Sequence, residues 1–194
     1  GHNHRLVIYH SLDGGRVWKL LADDKLPAWA FQAEPSVIWH RDAFYIVARD
    51  QNTTNSHLQI RYQYGGVTEV QRTNLSDPKH VDTADLSFNP VTRRFELVRS
   101  NRHAARLELW SIDPDDWGTG VWRFEAVLFD RGGKFYHTFD GFHPGGAVID
   151  QPADVQHIFI YSGFPGGPAG VFRITRTLDT PSLRETLGPA GEAR

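Results

Sequence analysis

The sequence contains no cysteine and no methionine in its 194 residues. Without cysteine there are neither disulfide bridges nor thiolate zinc sites, and the redox compartment is left undecided. Methionine is missing even at position 1, which suggests a processed product or a fragment. Long apolar runs are absent as well, because none approaches the roughly 20 residues needed to cross a bilayer.

A strong charge of either sign is also lacking, since the formal net charge is −2. Nothing in this balance favours nucleic acid or an anionic membrane as the partner. The sequence shows no phosphate-binding glycine loop, no metal-spaced cluster and no Ser-His-Asp arrangement, so it predicts no cofactor and no metal site. With 40% apolar residues, the chain is long and apolar enough for the core of a globular protein.

A sustained helical period is not found in any stretch, whereas short apolar segments of strand length recur along the chain. The predicted fold class is therefore all-β. The predicted strand segments are 6–9, 20–21, 37–39, 44–47, 58–62, 67–70, 85–88, 95–98, 107–110, 121–124, 147–149, 157–161 and 171–174.

The stretch from Ser11 to Trp18 reads Ser-Leu-Asp-Gly-Gly-Arg-Val-Trp and lies between the first two of these segments. Its glycines, Gly15 among them, permit positive φ, and the side chains of Ser11 and Asp13 can accept hydrogen bonds from backbone amides. A hairpin turn is therefore predicted, and Trp18 is expected to supply apolar surface for packing between sheets. The spelling Ser-x-Asp-x-Gly-x-x-Trp resembles the Asp-box of sialidase-like β-propellers.

This turn recurs as Ser-Ile-Asp at 111–113, more loosely as Thr-Leu-Asp at 177–179, and in degenerate form at 62–66. The period of about 50 residues holds four strands, as one propeller blade requires. We therefore expect 1–180 to form about two complete and two incomplete four-stranded blades of a β-propeller, and 181–194 to be a tail or linker. The sialidase-like propeller has six blades, so the resemblance implies that about half of them are present. A missing N-terminal half or a second copy of the chain would complete the ring.

Glu34 and Arg49 are the first candidate site residues. Glu34 precedes one strand segment and Arg49 ends the next, so antiparallel pairing would bring both to the same end of one hairpin. An arginine held by a glutamate is oriented to bind a carboxylate through two parallel hydrogen bonds. Glu-Pro-x-Val, with Ala-Arg ending fifteen residues after the glutamate and an Asp-box upstream, resembles the sialidase family.

In that family three arginines bind the carboxylate of sialic acid, and a glutamate supports one of them. The resemblance implies that Glu34 is this glutamate and that Arg49 is the second arginine. Arg99 and Arg102 are the two candidates for the third, because both end or follow the equivalent strand segment of the next repeat.

Sialidases use a tyrosine nucleophile, and Tyr136 lies in the corresponding region of this sequence. Phage endosialidases lack that tyrosine, and the Asp-Gly-Phe-His-Pro-Gly-Gly stretch around His143 is similar to their branch. The repeat also puts Glu34, Asp85 and His143 just before the first strand of successive sets. First strands line the axis of a propeller, so we expect the three side chains to converge at one mouth. There they could bind sugar hydroxyls or act as general acid and base.

Together these features predict a sialidase-type glycoside hydrolase that binds and cleaves glycans containing sialic acid, with either exo or endo action. The expected partner is a sialylated or other acidic glycan, and the expected location is extracellular, at a cell surface or on a virion. Three alternatives stay open. One is a non-catalytic carbohydrate-binding propeller such as a phage receptor-binding module, and one is a structural propeller without a glycan site. The third is a polysaccharide lyase with Tyr136 and His143 as acid and base.

Overall fold

The computed structural model describes residues 5–30, 32–50, 56–76, 81–101, 103–130, 143–150, 155–162 and 170–178. These residues form thirteen β-strands and one short 3-10 helix, so the predicted all-β class is confirmed. Every strand pairs with its neighbours in an antiparallel sense. Each strand overlaps the apolar segment that predicted it, although several strands, β10 and β11 among them, have other bounds.

The strands form four sheets in chain order, with two, four, four and three strands. Sheet 1 contains β1 (Arg5–His10) and β2 (Lys19–Lys25). Sheet 2 contains β3 (Gln32–His40), β4 (Ala43–Asp50), β5 (Ser56–Gln63) and β6 (Gly66–Ser76). Sheet 3 contains β7 (Val81–Asn89), β8 (Arg94–Asn101), β9 (Arg106–Ile112) and β10 (Arg123–Asp130). Sheet 4 contains β11 (His143–Asp150), β12 (Val155–Ser162) and β13 (Gly170–Thr177).

Successive sheets pack face to face, and their first strands are close together: β7 contacts both β3 and β11. Alternate residues of a strand face opposite sides, and the middle strands of sheets 2 and 3 are buried on both sides. The gap between sheets 2 and 3 is rich in aromatic side chains, whereas the gaps on either side of it are mainly aliphatic. Buried residues of these three gaps include Leu26, Ile46 and Ile60 (sheets 1 and 2), Tyr45, Phe95 and Trp117 (sheets 2 and 3), and Leu107, Leu109 and Ile158 (sheets 3 and 4).

A 3-10 helix, Pro114–Thr119, interrupts sheet 3 between β9 and β10, where only a turn was expected. Asp113 caps it by accepting a hydrogen bond from the amide of Asp115 at 3.0 Å. Gly120 ends it in the left-handed conformation, with φ +68°. The chain therefore enters β10 at Arg123, two residues after the predicted start of that strand. Within the described residues no helix is long and apolar enough to cross a membrane.

The turn between β1 and β2 is closed by the side chains that the sequence singled out. Asp13 Oδ1 accepts hydrogen bonds from Ser11 Oγ at 2.7 Å and from the amide of Val17 at 2.9 Å, and these bonds hold the pKa of Asp13 below its ordinary value of 3.8. The amide of Gly15 donates to Ser11 Oγ at 2.9 Å. The expectation for Trp18 is wrong, because this side chain is 61% exposed. Its indole Nε1 instead donates to the Gly15 carbonyl at 3.0 Å within the same turn.

Candidate functional site

Glu34 and Arg49 form an ion pair at the end of sheet 2 where β3 begins and β4 ends. Arg49 Nε lies 3.3 Å from Glu34 Oε2. The Arg49 side chain is 17% exposed and that of Glu34 is 42% exposed, so the carboxylate faces the solvent more than the guanidinium does. The contact that the sequence predicted is present, because the register places Arg49 opposite Ala33, the residue before Glu34.

Glu34 has a backbone conformation that is unfavourable for an L-amino acid, with φ +53°. It lies in a β-bulge, since the pairing of β3 with β4 shifts between Ala33 and Ser36. Bulges re-aim side chains and are frequent beside active sites. Left-handed conformations of non-glycine residues persist where the surrounding structure holds them, and such positions cluster at functional sites.

Asp85 lies on the neighbouring first strand, β7, and is linked to β3 by a serine. Ser36 Oγ donates to Asp85 Oδ1 at 3.1 Å and accepts from the amide of Leu86 at 3.0 Å. Ser36 is two residues from Glu34, so Glu34 lies near the start of β3 and Asp85 lies at the middle of the adjacent first strand, β7. The sequence did not single out Ser36, although it occupies the same register position as Asp85: their partners are Val47 and Val98.

The expected equivalence of Glu34, Asp85 and His143 does not hold in the register. Counting back from the end of each first strand, the residue that matches Asp85 in sheet 4 is Gly146, which pairs with Phe159. His143, three residues before Gly146, is the first residue of β11 and pairs with Tyr161. Glu34 lies two residues before the equivalent position in sheet 2. The three residues therefore occupy different positions along their strands: the third in β3, the fifth in β7 and the first in β11.

Arg99 is buried and has two partners within the fold, so its role as the third arginine stays a prediction. It is 2% exposed, its Nε lies 3.2 Å from Glu108 Oε2, and its Nη2 donates to the carbonyl of Ser76 at 3.2 Å. Its guanidinium lies 5.4 Å from the ring centre of Trp110. Arg99, a candidate for the third arginine, is one residue out of register with Arg49, because two residues follow Arg99 in β8 whereas one follows Arg49 in β4. The other predicted residues, Arg102 and Tyr136, lie outside the described residues.

Three further residues border this end of sheet 2, and the sequence reasoning missed them. Arg72 Nε donates to Asp50 Oδ2 at 3.1 Å, and its guanidinium lies 4.8 Å from the ring centre of Trp29. Asp50 directly follows Arg49 and is 1% exposed. Partners this far apart in sequence leave no local pattern from which they could be recognised. Among the described residues, no group of three His, Asp or Glu side chains is placed to hold a metal ion.

Comparison with known proteins gives matches among solved structures alone, because no family model and no curated protein matches the chain. One match is the catalytic domain of a GH62 α-L-arabinofuranosidase from Coprinopsis cinerea, with a TM-score of 0.56 and 12% identity. It covers 93% of this chain and 54% of that domain, so the chain spans about half the length of its neighbour. A second is a bifunctional GH43-CE protein from Bacteroides eggerthii, with a TM-score of 0.50 and 15% identity over 80% of this chain and 21% of that protein.

These matches correct the family resemblance drawn from the sequence. The structural neighbours are five-bladed β-propeller glycoside hydrolases and not sialidases. The Asp-box-like turn does not identify the sialidase family, because its side chains only close one hairpin. The spacing of Glu34 and Arg49 does not identify that family either, because any hairpin of this length brings those two positions together. What the structure shows is an all-β chain of antiparallel sheets with the propeller-like fold of glycoside hydrolases.

Proposed function

We propose that this chain is part of a β-propeller glycoside hydrolase and that its site lies between the start of β3 and the middle of β7. The observation that carries the proposal is that adjacent first strands each carry a carboxylate held by a neighbouring side chain. Glu34 is held by Arg49 in a bulge at positive φ, and Asp85 is held by Ser36. The fold shared with glycoside hydrolases supports this reading, because hydrolysis of a glycosidic bond commonly uses two carboxyl groups that flank it.

The surroundings of the two carboxylates suggest different roles. Glu34 is ion-paired and more exposed, which suits a base that activates water or an anion that stabilises an oxocarbenium-like transition state. Asp85 receives a hydroxyl hydrogen bond in a half-buried position, which suits the orientation of a sugar or proton transfer to the leaving oxygen. Arg49 acts as a positioning residue, because its guanidinium keeps the Glu34 carboxylate in one place.

A neutral glycan is the substrate class that we propose, and an α-L-arabinofuranoside is the first to test because that sugar is named for one structural neighbour. The experiment measures the release of nitrophenol from a panel of nitrophenyl glycosides that includes the α-L-arabinofuranoside. We expect turnover to fall by about 100-fold or more in both Glu34→Gln and Asp85→Asn, as for the loss of a general acid or base.

Asp116→Ala is the matched control, since it removes an exposed carboxylate from the 3-10 helix, at a distance from both strands' first residues. It should keep full turnover, and circular dichroism should show that all three variants are folded. Full activity in either carboxylate variant would remove that residue from the site. Binding of arabino-oligosaccharides by a wild-type protein that cleaves none of the panel would instead favour the non-catalytic carbohydrate-binding alternative.

A further inference from the structure

Trp29 lies on the surface between β2 and β3, at the end of sheet 2 where β3 begins. It belongs to a tight turn in which the amide of Ala30 donates to the carbonyl of Pro27 at 2.8 Å. Leu26, just before this turn, and Ala30, its last residue, are both buried, whereas Trp29 is 39% exposed. The turn is therefore anchored on both sides of Trp29 and presents the indole to solvent.

An arginine holds the Trp29 indole in one orientation. The Arg72 guanidinium lies 4.8 Å from the centre of the indole ring, a cation–π contact, and Arg72 Nη2 donates to the Trp29 carbonyl at 3.5 Å. Arg72 is itself fixed, because its Nε donates to Asp50 Oδ2 at 3.1 Å and the Asp50 side chain is fully buried. A ligand that binds the exposed part of the ring would therefore not have to order it first.

The register of sheet 2 puts Arg72 and Glu34 in one row across the sheet. Arg72 pairs with Leu58 of β5, and Leu58 pairs with Ala48 of β4. Ala48 in turn lies opposite the bulge that contains Glu34. Because β3 and β6 are the two edges of this four-stranded sheet, the backbones of Glu34 and Arg72 are roughly 14 Å apart along the row. A single monosaccharide cannot reach from one to the other, whereas an oligosaccharide can.

The chemistry of this surface suits a sugar ring. The face of an indole is electron-rich, and it attracts the C–H groups on the apolar face of a sugar, which carry a small positive charge. The Arg72 side chain is 42% exposed, so its guanidinium can also donate hydrogen bonds to sugar hydroxyls. The charge of Arg72 is balanced by the buried Asp50 carboxylate, so the pair does not favour an anionic ligand over a neutral one.

We propose that Trp29, with Arg72 beside it, is a stacking subsite for one sugar unit of a neutral oligosaccharide, away from the bond that is cleaved near Glu34. This inference rests on the proposed function, because it takes the same substrate to reach Glu34. It narrows the substrate class from neutral glycans in general to oligosaccharides and polymers long enough to span the row from β3 to β6. Trp29 holds such a substrate in place and takes no part in bond cleavage.

The test is a titration of the ¹⁵N-labelled chain with the linear tetrasaccharides of L-arabinose and of D-xylose, followed through the indole N–H signals of its six tryptophans. The signal of Trp29 is assigned by its loss in Trp29→Ala. We expect one tetrasaccharide to shift this signal in a saturable way, and its free monosaccharide to bind more weakly. Trp29→Ala should weaken tetrasaccharide binding by about threefold to tenfold, as for the loss of one aromatic contact, and Trp29→Phe should retain part of the affinity.

Trp18→Ala is the matched control, because Trp18 is more exposed, at 61%, and lies at the opposite end of β2. It should leave the affinity for the tetrasaccharide unchanged, and circular dichroism should show that both alanine variants are folded. The inference is overturned if neither tetrasaccharide moves the Trp29 signal. It is equally overturned if Trp29→Ala binds the tetrasaccharide as tightly as the wild type does.

The same protein samples separate this inference from the proposed function. A chain whose Trp29 signal shifts but which cleaves neither tetrasaccharide has the subsite without the hydrolase activity. A chain that cleaves one of them, with the same kcat/KM in the wild type and in Trp29→Ala, has the activity without the subsite.

Discussion

Sheets 2 and 3 have the same strand order, yet they use an arginine near the end of their second strand in opposite ways. In sheet 2, Arg49 pairs with Glu34, a residue of the first strand that faces the solvent at the site. In sheet 3, Arg99 pairs with Glu108 of the third strand and is buried. The repeated backbone therefore sets where an arginine lies, while the strand that supplies its partner decides whether its ion pair is open to solvent or buried in the core.

The largest expected difference between the two sheets is in stability. Arg99→Ala should destabilise the protein by about 3–5 kcal/mol, because it leaves the buried Glu108 carboxylate without its cation. Arg49→Ala should cost about 1 kcal/mol or less, since its partner Glu34 is 42% exposed and exposed pairs contribute little. Urea unfolding of both variants measures the two values.

A double variant separates the cost of breaking the pair from the worth of the pair. Arg99→Met with Glu108→Leu should recover part of the stability lost in Arg99→Ala, because apolar side chains of similar size often replace a buried ion pair without loss. The recovery is not complete, since Asn101 Nδ2 and Trp110 Nε1 lose the Glu108 carboxylate as their acceptor. If Arg99→Ala and Arg49→Ala lowered the free energy of unfolding by the same small amount, the Arg99–Glu108 pair would not stabilise the core more than the Arg49–Glu34 pair stabilises the end of sheet 2.

Activity should show the reverse order in the same two arginines. On the proposed function, Arg49→Ala should lower turnover by about tenfold to 100-fold, because the Glu34 carboxylate loses the group that positions it. Arg49→Lys keeps the charge but not the planar fork, and it should restore part of that loss. Steady-state kinetics on the substrate identified with the nitrophenyl panel makes the measurement. An Arg49→Ala enzyme with unchanged turnover would assign Arg49 to the scaffold, like Arg99.

Glu34 offers a finer test, because its backbone conformation and its carboxylate can be altered separately. Glu34→Ala and Glu34→Gly both remove the carboxylate and the ion pair, but glycine adopts φ +53° without steric cost. We expect the glycine variant to be more stable than the alanine variant by about 1 kcal/mol, with both lacking activity. Equal unfolding midpoints would show that the bulge relaxes when the carboxylate is removed and holds no strain.

The sequence could predict features of the fold that depend on local pattern. Strands follow from period-two apolar segments, and the contact of Glu34 with Arg49 follows from antiparallel pairing of two adjacent segments. The burial of Arg99 does not follow, because its partners Glu108 and Ser76 come from another strand and another sheet. The 3-10 helix was missed because six residues, two turns of such a helix, are too few to show a period.

The predictions of the family and of the site were limited in the same way, because they too depended on local sequence patterns. The side chains of Ser11 and Asp13 close one hairpin turn, and such a turn does not determine how many sheets surround the axis of a propeller. The link between Ser36 and Asp85 depends on the register of β3 and β7, which the sequence alone does not give. The family of a propeller thus depends on contacts between residues far apart in sequence, which local motifs do not reveal.

The smallest expected effect concerns the other end of the first strands, where His40 of sheet 2 corresponds to Asn89 of sheet 3. Asn89 is buried and hydrogen-bonded to Glu96 Oε1 at 2.8 Å, whereas the His40 ring lies 4.4 Å from that of Phe88 and its Nε2 has no partner among the described residues. Burial first, and then the nearby charge of Arg41, lower the pKa of His40 below its ordinary value of 6.5.

The lowered pKa of His40 gives its contribution to stability a definite sign. The unfolded chain binds the proton at a higher pH than the folded one, so this contribution is complete above pH 6.5 and declines as the pH falls toward the pKa of the folded state. His40→Asn, which copies sheet 3, should therefore lose less stability than the wild type between about pH 8 and about pH 5, measured as the shift of the urea midpoint. Identical pH profiles would mean that His40 is protonated in the folded protein as readily as in the unfolded chain, and that the two sheets do not differ at this end.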